Sequence, residues 1–259
     1  MEREAEAVLL RNQVNLAQHD NGTRLLGFFG DDEKLRRLSP IIGCLKGSKS
    51  LIPAGDEVTN LEPLVGITGL TALRLFTPRV AKVEPLKSLT SLTSLELSDS
   101  PIADVGPLQR LPSLLTLKLS GTRVADLEPL RGLTSLSDLD LSRTSVAQVE
   151  PLAGLTKLIR LDLSGTSIAS VLPLESLTSL VVLKLSGTRV ASLEPLKGLS
   201  SLGILDLSGT PVTSVEPLKG LTGLNELHLA NTRVDTLQPL KGLPVVVHGV
   251  GKELLASMK

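Results

Sequence analysis

Aromatic residues are almost absent from this chain. Its 259 residues include no Trp and no Tyr, and the three Phe residues stand at positions 28, 29 and 76. Aromatic side chains and arginine usually anchor protein interfaces. Any binding surface of this protein therefore has to rely on Arg, on aliphatic side chains and on charge.

The chain has a single cysteine and no net charge. The single cysteine, Cys44, excludes an intrachain disulfide framework and favours a reducing compartment. It lies in an apolar stretch, where we expect a small core residue rather than a nucleophile. Lys plus Arg and Asp plus Glu number 27 each, so the formal net charge is zero. This balance argues against a nucleic-acid partner, which usually demands a basic excess or stripe.

Long apolar runs are missing as well. The chain begins with Met-Glu-Arg-Glu-Ala-Glu, which is acidic and unlike a secretory signal. No stretch approaches the roughly 20 apolar residues that a membrane span needs. We therefore expect a cytoplasmic protein with no membrane partner.

A short tract recurs at a fixed interval of 22 residues. The segment Leu117–Val124, Leu-Lys-Leu-Ser-Gly-Thr-Arg-Val, has counterparts that begin at Leu73, Leu95, Leu139, Leu161, Leu183, Leu205 and Leu227. A fixed short period is typical of a stacked array in which each unit contacts its neighbours. The constant spacing leaves no inserted loop from which to build a catalytic pocket.

One repeat shows how the unit folds. Residues 138–142 alternate polar and apolar, which predicts a half-buried strand with Leu139 and Leu141 inward. Val149 and Leu152 are expected to bury the return segment. A proline occupies one position of every return segment, which favours a 3-10 or extended path over a long helix: Pro63, Pro85, Pro107, Pro129, Pro151, Pro173, Pro195, Pro217 and Pro239. Stacked units then form a parallel sheet.

The pattern LxxLxLSGTxVxxLEPLKG resembles the leucine-rich repeat superfamily, in particular its internalin-like and phosphatase-regulator-like 22-residue forms. The resemblance implies an α/β repeat solenoid, a curved right-handed superhelix of nine units over residues 51–248 with a parallel concave sheet. Those families usually carry a ladder of Asn where this chain has Thr122, Thr144, Thr166, Thr188, Thr210 and Thr232. We expect a Thr ladder between neighbouring turns, which Pro78 cannot join.

The ends of the array need polar covers. Residues 1–50 are predicted to form an N-terminal helical cap, with helices at Glu4–Gln18 and Asp31–Leu45, the second interrupted by Pro40. Leu25, Leu26, Phe28 and Phe29 are expected to plug the first repeat. A separate partner-docking module is the alternative. Residues 249–259 are predicted to be a helical tail or cap.

The outward strand positions are the candidate binding surface. Opposite charges alternate along one column, and the alternation breaks where Asp140 neighbours Asp162. Arg160 and Asp138 lie beside that break, next to apolar Ile159, Val181, Val182 and Ile204. The alternative interpretation is a self-neutralising charge ladder that keeps the sheet soluble.

The candidate partner-binding residues on the concave face are Asp138, Asp140, Arg160, Asp162, Val182, Lys184, Ile204, Asp206, Glu226 and His228. A rim of arginines is expected to grip an acidic partner or to be merely solvated: Arg79, Arg123, Arg189 and Arg233. We predict no catalytic residue, no cofactor and no metal, because an open sheet offers too few oxygens for a hard cation. His19, His228 and His248 are expected to be scattered over cap, concave face and last strand.

Three functions fit these features. The first is a monomeric intracellular adaptor or regulatory subunit that binds a protein partner. The second, implied by the resemblance to internalins, is a host-interaction protein of a pathogen, which would need a secretion signal and a surface anchor. The third is the substrate-recognition domain of a larger enzyme.

Overall fold

The computed structural model describes residues 1–18, 23–29, 31–47, 49–54, 58–67, 69–75 and 79–258. His19 and Pro78 lie outside these ranges, as do Lys259 and the side chains of Phe28 and Phe29. Contacts within the chain divide it into two compact units, Met1–Val124 and Ala125–Lys259. The boundary between the units falls inside the predicted repeat array.

Unit 1 combines the N-terminal region with the first repeats. Its helices are α1 (Glu2–Arg11) and α2 (Asp32–Gly43), and its 3-10 helices are Glu62–Leu64, Glu84–Ser88 and Gly106–Arg110. Its strands are β1 (Asn15–Gln18), β2 (Arg24–Phe29), β3 (Lys49–Ala54), β4 (Leu70–Arg74), β5 (Ser94–Glu96) and β6 (Thr116–Lys118). Strand β1 pairs antiparallel with β2, and the later pairs, from β2–β3 to β5–β6, are parallel.

Unit 2 contains regular repeats and a terminal helix. Its strands are β7 (Asp138–Asp140), β8 (Arg160–Asp162), β9 (Val182–Lys184), β10 (Ile204–Asp206), β11 (Glu226–His228) and β12 (Val246–His248). Its 3-10 helices are Glu128–Leu130, Glu150–Leu152, Leu172–Leu174, Glu194–Leu196, Glu216–Leu218 and Gln238–Leu240, and α3 is Lys252–Ala256. These strands pair in parallel and in chain order.

The core consists of the repeated aliphatic positions. Leu139 and Leu141 are at most 1% exposed, and Val149 and Leu152 of the return segment are equally buried. The 3-10 helix of each repeat has the recurring proline in its first turn, where the fixed φ of proline suits a helix and its missing N–H leaves no donor unpaired. The predicted repeat solenoid, with parallel strands and 3-10 return segments, is confirmed within each unit.

The threonine column makes different bonds from those predicted. The Thr166 hydroxyl donates to the Leu163 carbonyl at 2.6 Å, and Thr122, Thr144, Thr188, Thr210 and Thr232 repeat this bond within their own turns. The expected ladder of threonines between turns is therefore wrong, because the short side chain reaches the carbonyl three residues earlier. Neighbouring turns are joined by the backbone instead, as where the Gly187 N–H donates to the Ser208 carbonyl at 2.7 Å.

The N-terminal region is not purely helical, which corrects the prediction for residues 1–50. Helix α1 ends at Arg11, since Gln13 has a positive φ of 59° that a helix cannot continue through. Leu25 and Leu26 belong to β2, which pairs with both β1 and β3, so the sheet continues into this region. Helix α2 contains Pro40 without ending there.

Two further observations concern α2. Cys44, predicted to be a core residue, is exposed because it follows the end of the helix, where its thiol contacts the Pro40 carbonyl oxygen at 3.3 Å. At the other end, the Asp32 carboxylate accepts hydrogen bonds from the Thr59 N–H at 2.7 Å and the Thr59 hydroxyl at 2.6 Å. Burial favours a higher pKa for Asp32, but the bonds from Thr59 and Asn60 outweigh it and lower the pKa.

The C-terminal helix α3 is attached to the last repeat. The Ser257 hydroxyl, just beyond the helix, accepts a hydrogen bond from the Leu237 N–H at 3.0 Å. Every helix in the described part of the chain is too short or too polar to cross a membrane.

Candidate functional site

The strand face of unit 2 is the set of outward side chains on strands β7 to β12 together with the residue before each strand. The register places Asp138 opposite Arg160 and Asp140 opposite Asp162. Strands β8, β9 and β10 continue the same alignment, so residues 22 apart lie side by side as the sequence predicted. Most of the predicted partner-binding residues therefore belong to one continuous surface.

The charged residues of this face are paired with one another. Arg160 Nε donates to Asp138 Oδ2 at 2.8 Å, and Lys184 Nζ lies 3.3 Å from Asp162 Oδ2. Unit 1 carries a comparable cross-strand pair, Arg74 with Glu96, at 3.6 Å. These contacts support the interpretation of a self-neutralising ladder.

The aspartates at the ends of the strands also have a local structural task. Oδ1 of Asp140 accepts the Ser142 N–H at 2.9 Å, and Asp162 and Asp206 accept the N–H groups of Ser164 and Ser208 in the same way. Asp and Asn commonly stabilise turns by bonding the backbone two residues ahead. The carboxylates near Asp140 therefore have turn N–H groups as partners, and their clustering follows from the repeat.

The aliphatic residues of the face cannot stabilise a turn in this way, because their side chains have no hydrogen-bond acceptor. Ile159 and Val181 are 40% and 39% exposed, although most of the large apolar side chains of the repeats are buried. Val181 N–H donates to the Ile159 carbonyl at 2.9 Å, and Ile204 N–H donates to the Val181 carbonyl at 2.9 Å. Together with half-buried Val182 and Ile204 they form what we call the apolar strand patch (Ile159, Val181, Val182, Ile204).

The rim arginines do not form a cluster. Arg79 and Arg123 are exposed in unit 1, and Arg189 and Arg233 are exposed in unit 2. Within each unit the two arginines lie two repeats apart, which corresponds to roughly 10 Å of sheet. Such isolated cations offer a partner separate contacts rather than one basic site.

Two histidines that were expected to be scattered lie together, which corrects that prediction. The rings of His228 and His248 stack with centroids 4.6 Å apart and planes inclined by 17°. Glu226 Oε2 lies 3.7 Å from His228 Nε2. The structure brings them together because the last strand aligns with its predecessor after 20 residues rather than 22.

Comparison with protein families and solved structures gives consistent results. The family model described as Leucine Rich repeats (2 copies) matches residues 200–242. A crystal structure of internalin C2 from Listeria monocytogenes is similar, with 35% identity over 65% of this chain and 75% of that chain and a TM-score of 0.63. No curated protein gives a match.

Two more distant structures share the fold alone. An internalin (inlF) from Listeria monocytogenes has 22% identity over 96% of this chain and 74% of that chain, with a TM-score of 0.76. A leucine-rich repeat protein of Leptospira interrogans has 20% identity over 79% of this chain and 52% of that chain, with a TM-score of 0.61.

Proposed function

Because the chain belongs to the leucine-rich repeat superfamily, we propose that it is a non-catalytic scaffold whose protein partner docks on the strand face of unit 2. The superfamily fold supports protein binding in general. The choice of face is supported by the apolar strand patch, in which Ile159 and Val181 expose 40% and 39% of their surface. Contiguous exposed aliphatic side chains bordered by polar groups are typical of interaction sites.

The chemistry of the patch indicates what kind of partner it accepts. Arg160 and Lys184 at its border are half-exposed, and each already has an acidic neighbour, Asp138 and Asp162 respectively. An exposed ion pair contributes little free energy, about 0–1 kcal/mol. We therefore assign most of the binding energy to aliphatic contact and the orientation of the partner to the surrounding charges. A partner segment that presents Leu, Ile, Val or an aromatic residue fits this surface.

The biological role that we propose is an intracellular adaptor or regulatory subunit. The single cysteine and the zero net charge support this role. A second candidate is an internalin-like protein that binds its partner outside the producing cell, and the 35% identity to internalin C2 favours it. Fractionation of the producing organism separates the two: the adaptor role requires the protein in the cytoplasm, whereas recovery from the surface or the medium would establish the second.

The docking surface is tested with Val181→Asp. The partner is first identified by affinity capture and then purified. A carboxylate in the centre of the patch should weaken the binding of this partner by more than about tenfold, or about 1.4 kcal/mol. Leu172→Asp is the matched control, because Leu172 is also an exposed aliphatic residue, at 56%, but lies on the 3-10 return segment.

Thermal unfolding of both variants shows whether the fold is kept. Unchanged affinity in a folded Val181→Asp protein would exclude the patch as the docking site. Equal losses in the two variants would point to a general effect of the added charge, and they would also contradict the proposal.

A further inference from the structure

The last two strands of unit 2 are spaced differently from the others. Strand β12 aligns Val247 with Leu227 and His248 with His228, so corresponding residues are 20 positions apart instead of the 22 found between earlier repeats. With a full repeat, Val250 would have occupied the place beside His228. The shortened return segment is what puts two imidazoles next to each other on parallel strands.

The side chains around this register form a compact group of possible ligands. The His228 and His248 rings stack at 4.6 Å, and Glu226 starts the strand that carries His228. One ligand atom from each of Glu226, His228 and His248 lies within 4.8 Å of the other two. Glu226 and His248 are exposed and His228 is half-buried, so an ion can reach the group from solvent.

We propose that Glu226, His228 and His248 bind one divalent transition-metal ion of the zinc class. Zinc is held by imidazole nitrogen and carboxylate oxygen at about 2.0–2.2 Å, and catalytic zinc sites commonly have three protein ligands and a water. Two ligands of one ion are thus at most about 4.2 Å apart. The ligand atoms lie within 4.8 Å of one another, and binding an ion requires the two stacked imidazoles to rotate so that their nitrogens converge on it.

The donor set selects among metals. Imidazole suits zinc, copper and nickel, whereas calcium requires six to eight oxygen ligands and magnesium an octahedral set of oxygens. One carboxylate supplies too few oxygens for either hard cation. Asp206, the register partner of His228 on β10, adds negative charge beside the group, and this charge favours a cation.

The backbone around the group is held in place. The Leu229 N–H donates to the His248 carbonyl at 3.0 Å, and the Val246 N–H donates to the Asn225 carbonyl at 2.8 Å. Gly249 follows His248 with φ of 79° and approaches Ala230 so closely that an added Cβ would lie 2.6 Å from it. The ligands therefore start from strands whose relative positions are fixed, and a bound ion would tie β12 to β11.

The test is isothermal titration of the full chain with zinc chloride alone, repeated with nickel and copper salts. We expect one site per chain. His248→Ala and His228→Ala should each weaken zinc binding by more than about tenfold, a loss that is common even for outer-shell partners of a metal. Glu226→Gln should weaken it less, because the amide oxygen remains a poor ligand. Zinc should also raise the melting temperature of the wild-type protein but not that of His248→Ala.

Glu216→Gln provides the matched control, since Glu216 is an exposed carboxylate on the return segment between β10 and β11, where it pairs with Lys219 at 2.6 Å. This variant should bind zinc as the wild type does. The proposal is overturned by the absence of zinc, nickel and copper binding in the wild type, or by wild-type affinity in a folded His228→Ala, His248→Ala double variant. The result does not depend on the protein partner proposed above, because the only ligand in the titration is the metal.

Discussion

Each buried threonine of the repeat satisfies a carbonyl of its own turn. The Thr166 side chain is 4% exposed, and its hydroxyl donates to the Leu163 carbonyl oxygen at 2.6 Å. A net contribution of about 1 kcal/mol is usual for such a bond. Because this hydrogen bond lies within one turn, its effect is local to one repeat.

Thr166→Val should lower the free energy of unfolding by about 1 kcal/mol, because valine has the same shape but cannot donate to the carbonyl. Urea denaturation measures the change. The same substitution at Thr178, which is exposed, is the control and should alter stability by less than about 0.5 kcal/mol. Equal effects at the two sites would show that the buried hydrogen bond is not what stabilises the turn.

Residue-level patterns were the most accurate part of the sequence interpretation. The inward direction of Leu139 and Leu141 follows from alternation alone, since successive side chains of a strand point to opposite faces. The hydrogen-bond partner of Thr166 could not be predicted, because it depends on the backbone conformation of the turn. The burial of Cys44 was predicted wrongly for a similar reason, because an apolar local composition does not reveal where a helix ends.

At the scale of elements, the turn after each strand imposes its own requirement. Residues 165, 187 and 209 in this turn are glycines with φ near +70°, and Arg143 adopts φ of 57° at the equivalent position. Non-glycine residues in this conformation lose roughly 1–2 kcal/mol. The backbone of Arg143 is therefore strained, and the turn that joins neighbouring repeats is kept at this position without a glycine.

Gly187→Ala should destabilise the protein by about 1 kcal/mol, because alanine cannot adopt the left-handed conformation without strain. The control is Gly198→Ala in the same repeat, where an added Cβ meets nothing within 4 Å and φ is outside the left-handed region. This control should be neutral or slightly stabilising. Equal destabilisation of the two variants in chemical denaturation would contradict the assignment of strain to the turn.

Helix α2 is joined by Asp32 to the residues just before the first 3-10 segment. Burial of Asp32 favours a higher pKa, but the hydrogen bonds that it accepts from Thr59 and Asn60 together outweigh burial and lower the pKa. A carboxyl group with a lowered pKa in the folded state contributes stability above its unfolded pKa and loses it as pH falls through the folded pKa. Asp32 should therefore stabilise unit 1 at neutral pH but not in strong acid.

Asp32→Ala should lower stability at pH 7 and have a much smaller effect near pH 2, measured by denaturation at both values. Thr59→Val keeps the carboxylate and removes one of its donors, so its loss at pH 7 should be smaller than that of Asp32→Ala. A loss in Asp32→Ala that is the same at both pH values would show that ionisation of Asp32 is not involved.

For the molecule as a whole, charge balance determines how binding responds to salt. Positive and negative side chains are equal in number, and the ion pairs of the strand face link neighbouring strands. The proposed docking energy comes from the apolar strand patch. Salt screens exposed charges and leaves aliphatic contact almost unaffected.

Raising the salt concentration from about 0.05 to about 0.5 M should change the dissociation constant of the partner by less than roughly tenfold. Fluorescence anisotropy with a labelled partner measures this. Duplex DNA is the comparison and should show no binding at physiological salt, as expected without a basic stripe. A steep loss of partner affinity with salt would assign the binding energy to the charged residues instead.

The sequence by itself determined the repeat, its inward leucines, its proline-bounded return segments and the strand neighbours on the face of unit 2. It could do so because a constant 22-residue period fixes which residues lie side by side wherever the period holds. Tertiary structure alone decided what happens where the period fails. Strand β2 pairs with distant β3 and in turn gives β1 its partner, and His248 meets His228 because β12 aligns with β11 after 20 residues. Such pairings depend on contacts between segments, so local sequence patterns do not specify them.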